Sequence, residues 1–284
     1  MKTTIKILGA GCAALALVAG GAFAGPDDDV LSIDGEVIAT KVKAKEGNPI
    51  GDTLISGWHY RNDETQALQM DDFDNPAFVY VQLGEELWNT AEGESGQSCA
   101  DCHGDATESM KGLRARMPTW SEVGQKPWGL EQWINWSRIE HQKASELKWD
   151  SQEMLALNAY ISVQSRGMPV EVDISGPLEA WWKKGEELYY TRTGQLDFAC
   201  ASCHEDYNGM YLRSDHLSQG HTNGFPLYRL KWQGLGSLHR RLTGCVQDTR
   251  AEPYPVASDE LTAIELYVAW RGQGLSVEAP AVRQ

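Results

Sequence analysis

Positive charge, long apolar runs and spare cysteines are all scarce in this 284-residue sequence. Lysine and arginine number 25 against 40 aspartates and glutamates, which gives a formal net charge of −15. Such an acidic balance argues against a nucleic-acid partner, because phosphate binding needs a basic patch. Beyond residue 24 no apolar run reaches the length of a membrane-spanning helix, so no membrane anchor is expected. With only six cysteines present, each one calls for a chemical explanation.

The apolar stretch at the N terminus has the features of a secretory signal peptide. Lys2 and Lys6 supply the positive start, small and apolar residues continue to Gly21, and Ala22-Phe23-Ala24 forms an A-x-A cleavage site. We therefore expect residues 1–24 to be removed on export. The remaining 260 of the 284 residues suit two domains.

Two Cys-x-x-Cys-His motifs, Cys99–His103 and Cys200–His204, lie 101 residues apart. Each follows the start of a Gly-Glu-Glu-Leu segment, at Gly84 and Gly185, by fifteen residues. In this motif two thiols attach a haem and the adjacent imidazole ligates its iron. Two copies in register predict a duplicated domain and two covalently bound c-type haems. The predicted haem-binding residues are Cys99, Cys102 and His103 in the first copy, and Cys200, Cys203 and His204 in the second.

Other Cys-x-x-Cys chemistry explains this pattern less well. Two such pairs could bind one zinc ion, but a zinc site gives no reason for a histidine directly after each pair. A thioredoxin-like redox site needs a βαβ pattern around the motif, and the sequence does not have one. Haem attachment is therefore the preferred interpretation.

The segments that flank the motifs predict helices. Apolar residues at spacings of three and four predict a helix over Pro177–Thr191, with a counterpart around Gly84–Thr90. Closing helices are expected to start at Ser151 and Ser258, since each serine is a good N-cap followed by acidic residues. By analogy with class I cytochromes c, the order of helix, haem motif, long loop and closing helix predicts an all-α fold of two tandem domains.

The predicted division of the chain follows from this duplication. We expect the first domain, with an N-terminal extension, to cover residues 25–175 and the second to cover residues 176–284. A short break over Val172–Gly176, followed by Pro177, marks the boundary. Residues 25–75 are polar, acidic and rich in glycine, which predicts an exposed or loosely packed extension. Either the first domain or a partner subunit is its expected neighbour.

Cys245 is the one cysteine outside both motifs and the predicted signal, which contains Cys12. An unpaired thiol in an oxidising compartment favours a functional role over that of an inert buried residue. From Arg229 to Arg250 the chain carries five basic residues and one acidic residue, Asp248. Positive charge lowers a thiol pKa and attracts small anions, so we expect an anion site around a reactive thiolate. A solvated charged face is the alternative.

The same stretch carries a family resemblance. The string Arg240-Arg241-Leu242-Thr243-Gly244-Cys245, continued by Arg250-Ala251-Glu252-Pro253, resembles the active-site segment of the SoxA family. The first half is similar at Ser109-Met110-Lys111-Gly112. SoxA is the larger cytochrome subunit of the SoxAX complex of periplasmic thiosulfate oxidation. The resemblance implies a periplasmic L-cysteine S-thiosulfotransferase that joins thiosulfate to a cysteine of the carrier protein SoxYZ, with SoxX as the heterodimer partner.

Roles for individual residues follow from the resemblance as well. Cys245 would be the catalytic cysteine and the distal ligand of the second haem, and a persulfide on its sulfur is implied. Arg241 would hold the thiosulfate, with Arg250 as a second candidate. His204 would be the proximal ligand of this active-site haem. The chemistry is coherent, because a guanidinium fork suits sulfonate-type oxygens.

One position departs from the family pattern. Members with a first-half haem have a distal cysteine in an Asn-x-Cys-Arg context, and here that context is Asn135-Trp136-Ser137-Arg138. Because a serine hydroxyl is a poor iron ligand, we expect His141 to pair with His103 instead. His141 lies one helical turn beyond the serine if this stretch is helical. Met110 and Met117 are the competing ligands.

The four remaining histidines are expected to be hydrogen-bonded structural residues, as is common for this side chain. They are His59, His216, His221 and His239. If Cys245 were displaced from the second haem, His221 or His239 would be the expected replacement ligand.

Two other functions remain open at this point. A dihaem thiosulfate dehydrogenase, which couples two thiosulfates into tetrathionate, would use the same thiol and arginines. A plain electron-transfer cytochrome would need neither a free thiol nor an anion site. Cys245 with its arginines therefore favours an enzyme over a carrier of electrons.

Overall fold

The computed structural model describes residues 29–284, and the predicted signal peptide lies outside the described residues. The helices, in chain order, are α1 Asp63–Gln69, α2 Phe78–Asn89, α3 Cys99–His103, α4 Ala106–Ser109, α5 Leu130–Ser137, α6 Gln152–Val163, α7 Leu178–Tyr190, α8 Leu238–Asp248 and α9 Asp259–Arg271. The strands are β1 Val30–Ile33, β2 Glu36–Ala39, β3 Lys41–Lys43, β4 Thr53–Ile55, β5 Thr119–Ser121, β6 Lys126–Trp128, β7 Tyr211–Leu212, β8 Asp215–His216, β9 Leu227–Arg229, β10 Gly234–Gly236 and β11 Ala281–Arg283. Single turns of π-helix cover Arg138–Gln142 and Ser202–Asp206. Within residues 29–284 no helix has both the length and the apolar character needed to cross a membrane.

Each half of the chain is built around one crossing of two helices. In the first half α2 packs against α6, and in the second half α7 packs against α9. A Cβ on Gly84 would lie 2.2 Å from the Ala156 carbonyl oxygen, and a Cβ on Gly185 would lie 2.0 Å from that of Ala263. Because the two backbones approach so closely, each crossing requires glycine. This contact explains the glycine of each repeated Gly-Glu-Glu-Leu segment.

The predicted helix positions are confirmed. The Ser151 side chain accepts a hydrogen bond from the Met154 N–H at the start of α6, and Ser258 does the same for Leu261 at the start of α9. The helix predicted over Pro177–Thr191 is observed as α7. Both serine caps satisfy amide groups that have no partner inside the first helical turn.

Short sheets accompany the helices, so the all-α expectation is only partly confirmed. β9 pairs with β10 in antiparallel and with β11 in parallel orientation, with Ala281 opposite Leu227. The other sheets are two-stranded antiparallel pairs: β1 with β2, β3 with β4, β5 with β6 and β7 with β8. The strands found in residues 29–284 have at most four residues, which is too short for an alternating pattern to stand out in the sequence.

Residues 29–75 of the N-terminal extension are folded, and the expectation of a loosely packed segment is wrong for them. Leu31, Ile33, Ile38 and Trp58 are each at most 2% exposed and form a small core, against which Met70 packs. The first three of these residues lie on the β1–β2 hairpin, where alternate side chains face the same side. A few apolar residues placed in this way suffice to order a segment that is polar on average.

Buried polar contacts attach the extension to both halves of the chain. Gln69 Nε2 donates to Glu278 Oε2 over 3.1 Å, and Ser56 donates to the other oxygen of the same carboxylate. In the first half, Arg166 Nη2 donates to Asp72 Oδ2 over 2.8 Å. The extension therefore packs against the second half as well as the first, a placement that the sequence did not predict.

The two halves meet at a buried cluster of ionisable side chains. Glu131 on α5, Glu265 on α9 and His239 on α8 are all buried. The Nε2 atom of His239 lies 3.1 Å from Glu265 Oε2, and the ring stacks on Trp149 with centroids 4.8 Å apart. Burial, followed by the negative charge of Glu265, raises the pKa of Glu131 to about 7. The interface thus contains a carboxyl group that holds its proton near neutral pH.

Replacing Glu131 with glutamine is expected to flatten the pH dependence of stability. The pKa of Glu131 is raised from 4.5 to about 7 in the folded chain, so between these values the folded state binds more protons than the unfolded state. Stability therefore falls as pH rises through this window, by up to about 3 kcal/mol, and an uncharged amide removes the loss. The free energy of unfolding, measured by denaturant titration at pH 5 and pH 8, checks this. Glu171→Gln, at an exposed position, is the control; equal slopes for both variants would contradict the prediction.

Candidate functional site

The second Cys-x-x-Cys-His motif holds its histidine in a defined orientation. His204 Nδ1 donates to the Ser218 carbonyl oxygen over 2.7 Å, which leaves Nε2 as the nitrogen that can bind a metal. The ring packs directly on Gly220, where φ is +77° and an added Cβ would lie 2.7 Å from the ring Cγ. Hydrogen bond and contact together fix both the tautomer and the plane of the imidazole.

The electrostatic surroundings keep this imidazole neutral. Burial lowers the pKa of His204 to about 4, and the cations Arg241 and Arg271 lower it further, against the opposing effect of the hydrogen bond to Ser218. The neutral ring is the form that ligates iron. Burial likewise raises the pKa of the Cys200 thiol to about 12. This thiol is partly buried.

Helix α8 brings Cys245 to the second motif. Ser237 caps the helix by accepting the Arg240 N–H, and Cys245 lies one turn beyond Arg241 on the same face. The negative charge of the Cys245 thiolate is the largest cause of the raised pKa of Arg241, and it also raises the pKa of Cys203 after burial. Cys245 is partly buried and belongs to no disulfide. The predicted thiol, arginine and motif cysteines therefore share one space.

A cleft of about 400 Å³ opens beside Arg241 and is lined by basic side chains. Its lining residues are Arg229, Trp232, Arg240, Arg241, Thr243, Gly244, Gln247 and Asp248. Two guanidinium groups lie over the Trp232 ring, with Arg240 Cζ at 4.3 Å and Arg229 Cζ at 5.1 Å from its centroid. Within residues 29–284 the Arg241 guanidinium forms no salt bridge, so its charge is free to bind a ligand anion.

Not every predicted residue reaches this cleft. Arg250 is exposed beyond the end of α8, at a φ of 61°, and does not line the cleft. Arg240 and Arg229 line the cleft beside Arg241; the sequence placed both in the basic stretch but gave neither an individual role. Trp232 was missed altogether, although an aromatic residue inside a basic run is a signal for stacking with guanidinium groups.

The first motif forms helix α3 and begins with a capping box. Ser98 Oγ accepts the Asp101 N–H over 3.1 Å, and the Asp101 carboxylate accepts the Ser98 N–H over 2.8 Å. His103 follows at the end of this helix, with its ring centroid 5.7 Å from that of Trp88. Both His103 and His141 are exposed, and the pKa of His103 is lowered by partial desolvation and then by the charge of His141.

The turn of π-helix after α5 carries His141 toward the first motif. Gln142, the next residue, places Nε2 3.9 Å from Cys99 Sγ and donates to the Gln97 carbonyl over 3.0 Å. The His141 ring packs edge-on against Trp136 at 4.9 Å. Met110 and Met117, the competing ligands, are both buried in the core of this half.

The remaining histidines are hydrogen-bonded, as expected. His216 Nε2 donates to the Gly209 carbonyl over 3.0 Å, and His59 Nε2 lies 2.9 Å from Thr40 Oγ1. His239 uses both ring nitrogens, on Glu265 and on the Ala257 N–H, and so has none left for iron. His221 Nε2 donates to Gln219 Oε1 over 2.9 Å, while its buried Nδ1 has no hydrogen-bond partner among residues 29–284.

Both motifs fit a covalently attached haem. Their cysteines are free of disulfides, and His204 presents a neutral ring with Nε2 available. Around the second motif an apolar wall packs on the thiol side, as a porphyrin requires. Its members include Leu188, Tyr189, Phe225, Leu242 and Tyr254. The donor set and its surroundings therefore match a porphyrin and its iron rather than a bare metal ion.

Comparison with known proteins agrees with this chemistry. The family model described as SoxA/TsdA, cytochrome c domain, matches residues 83–170 and 184–277, which together make up more than half of the chain. The L-cysteine S-thiosulfotransferase subunit SoxA of Pseudaminobacter salicylatoxidans is 52% identical over 93% of this chain and 92% of its own length. This chain belongs to the SoxA family. The resemblance inferred from the residues is thereby confirmed.

Other members of the SoxA family match to a similar degree. Proteins with the same name from Rhodovulum sulfidophilum and Paracoccus pantotrophus are 48% and 47% identical, over 95% and 94% of this chain and 96% and 93% of their own lengths. The crystal structure of SoxXA from P. pantotrophus matches with a TM-score of 0.86 and 46% identity, and covers 91% of this chain and 99% of the matched chain. As a cytochrome c family member, the chain binds haem covalently.

Proposed function

We propose that this chain is the thiosulfotransferase subunit of a SoxAX-type complex, which joins thiosulfate oxidatively to a cysteine of a SoxYZ-type carrier. The observation that carries this proposal is that the charge of Cys245 acts both on Arg241, which lines the arginine-rich cleft, and on Cys203 of the second motif. The names of the relatives support it, since each is a thiosulfotransferase subunit. Export to the periplasm and a SoxX-type cytochrome partner belong to the same proposal.

The chain would bind two haems in two tandem cytochrome c domains. We assign residues 25–175, with the extension, to the first domain and residues 176–284 to the second. The two matched segments of the family model and the shared glycine-dependent helix crossing support this division. Cys99 and Cys102 would attach the first haem, and Cys200 and Cys203 the second.

The site residues have two roles: the arginines bind the anion, and Cys245 supplies the sulfur chemistry. Arg241 binds the sulfonate oxygens of thiosulfate with its planar fork, while Arg240 and Arg229 keep the cleft positive. Cys245 presents a soft sulfur to the substrate, and together with His204 it would hold the iron of the second haem. Arg241 and Cys245 would hold the outer sulfur of thiosulfate beside the carrier thiol, and the two sulfurs can be joined only as two electrons are removed from them.

The overall reaction needs thiosulfate, the carrier cysteine and an acceptor for two electrons, and with these it balances. A sulfur–sulfur bond forms between the outer sulfur of thiosulfate and the carrier cysteine, whose S–H bond breaks and releases one proton. These two sulfur atoms lose two electrons in total. The covalently bound haems supply the acceptor for those electrons, which pass on to the partner cytochrome.

Product analysis distinguishes this function from its alternatives. The purified complex, given thiosulfate, carrier and an electron acceptor, should add one thiosulfonate group to the carrier cysteine, seen by mass spectrometry of the intact carrier. Tetrathionate formed without any carrier would establish a thiosulfate dehydrogenase instead. Haem reduction with neither product would leave an electron-transfer cytochrome.

For the first haem we propose axial ligation by His103 and His141, on the basis of their closeness and of the Gln142 contact to Cys99. Replacing His141 with alanine should convert the low-spin bis-imidazole signal of that haem into a high-spin one, because a ligand is lost. Optical and EPR spectra of the haem-loaded protein measure this. Met110→Leu is the matched control and should leave the spectra unchanged; the opposite outcome would make Met110 the ligand.

A further inference from the structure

The last residue of α9, Arg271, is a buried cation on the His204 side of the second motif. Its side chain is 0% exposed. Nη2 lies 2.8 Å from Glu205 Oε1, and Nη1 donates to the Gln219 carbonyl over 3.3 Å. The guanidinium carbon sits 4.3 Å from the centroid of the Tyr189 ring. Burying an ion pair is costly, so its presence here calls for a reason.

These contacts join Arg271 to two segments that flank His204: the residue that follows it in the chain and the segment that orients its ring. Glu205 directly follows His204 in the chain. Gln219 lies between Ser218, which accepts the His204 Nδ1–H, and Gly220, against which the ring packs. One guanidinium therefore ties the residue after the ligand to the segment that orients the ligand. The charge of Arg271 also reaches the imidazole directly, since it contributes to the lowered pKa of His204.

The first half of the chain has no counterpart to this ion pair. The offset of 107 that aligns the closing helices places Gln164 at the position of Arg271, and the offset of 101 between the motifs places Gly104 at the position of Glu205. Gln164 simply donates to the carbonyl of Tyr160, one turn back on α6. Since both halves share the same helix crossing, the ion pair serves something that only the second site needs.

We propose that Arg271, together with Glu205, is a positioning residue for His204 and sets the reduction potential of the second haem. The inference rests on the proposed function, in which His204 ligates that haem. It adds a requirement to that function: a thiolate ligand on the distal side favours ferric iron. A fixed proximal imidazole and a balanced buried charge would keep the reduction potential of the second haem in a range that lets electrons pass to the acceptor.

The sign of each charge gives the proposal a distinctive signature. A buried cation disfavours the more positive ferric state, so removal of Arg271 should lower the midpoint potential of the second haem and leave Glu205 unpaired. Removal of the Glu205 charge should raise that potential. The double variant should return most of the way to the original value, because both charges are then absent.

The test is a spectroscopic redox titration of the full haem-loaded protein and its variants. Arg271→Gln should lower and Glu205→Gln should raise the potential of the second haem, with changed EPR g values for Arg271→Gln, while the first haem stays constant. Arg166→Gln is the matched control, because Arg166 is also a buried arginine with acidic partners and an aromatic neighbour, Phe78, but it lies in the first half. It should not move the second potential.

Several outcomes would overturn the inference. Unchanged potentials and g values in Arg271→Gln and Glu205→Gln would do so, as would shifts of the same sign in both. If Arg271→Gln fails to fold, Arg271→Lys and Glu205→Gln still test it: lysine keeps the charge but loses the fork, so g values should change more than the potential. If these shifts are present but the carrier stays unmodified in the product assay, the proposed function itself would instead be refuted.

Discussion

Replacing Cys245 with alanine is expected to lower thiosulfate-dependent carrier modification at least about 1000-fold, as is typical when a reacting side chain is removed. No other cysteine outside the motifs lies in residues 29–284, so nothing near can take its place. The optical spectrum of the second haem should also change, and its potential should rise, because an anionic ligand is lost. Turnover with purified carrier and a redox titration measure both effects.

Ser137→Ala provides the matched control for this experiment. Ser137 occupies the position of Cys245 in the first half at the offset of 108, so the two changes are equivalent in the repeat. Because we assign no chemistry to this serine, turnover should be unaffected. If Cys245→Ala retained full turnover, both enzymatic interpretations would fail, and the chain would be a carrier of electrons.

Replacing Arg241 with alanine is expected to reduce kcat/KM for thiosulfate about 10- to 100-fold. This range corresponds to the loss of a hydrogen bond to a charged group, about 1.5–3 kcal/mol. Arg241→Lys should recover part of the loss, since lysine keeps the positive charge but lacks the planar fork. Steady-state kinetics over a range of thiosulfate concentrations separate binding from turnover.

Arg250→Ala is the control for charge alone. Arg250 lies in the same basic stretch but is exposed and away from the cleft, so its loss should change kcat/KM by less than about twofold, as is usual for surface charges. If Arg250→Ala and Arg241→Ala were equally impaired, the sequence-based role of Arg250 in thiosulfate binding would be restored. In that case Arg241 would act only through its charge.

Much of the fold was predictable because its signals are local. The caps at Ser151 and Ser258, for example, each join residues three positions apart along the chain. Short strands and the packing of the extension were not predictable in this way. The carboxylate of Glu278 joins Ser56 and Gln69 across more than 200 residues, and no local pattern announces such a contact.

The candidate site shows the same division. Cys245 stood out in the sequence because it is unpaired in a chain whose other cysteines belong to the motifs or the signal. Which basic residues surround it was not evident, because that depends on the direction in which α8 and β9 run. Folding placed Arg229 and Arg240 over the Trp232 ring in the cleft and left Arg250 outside it.

The sequence by itself thus determines which reactive groups this protein carries. Thiols and imidazoles at repeated spacings determine that it attaches haem, and the basic stretch around Cys245 predicts a reactive sulfur beside positive charge. Only the tertiary structure decided which long-range neighbours act on them, such as Arg271 behind His204 and Glu265 beside Glu131. The physical reason is that charge and burial act through space, and contacts between distant parts of a chain exist only once it has folded.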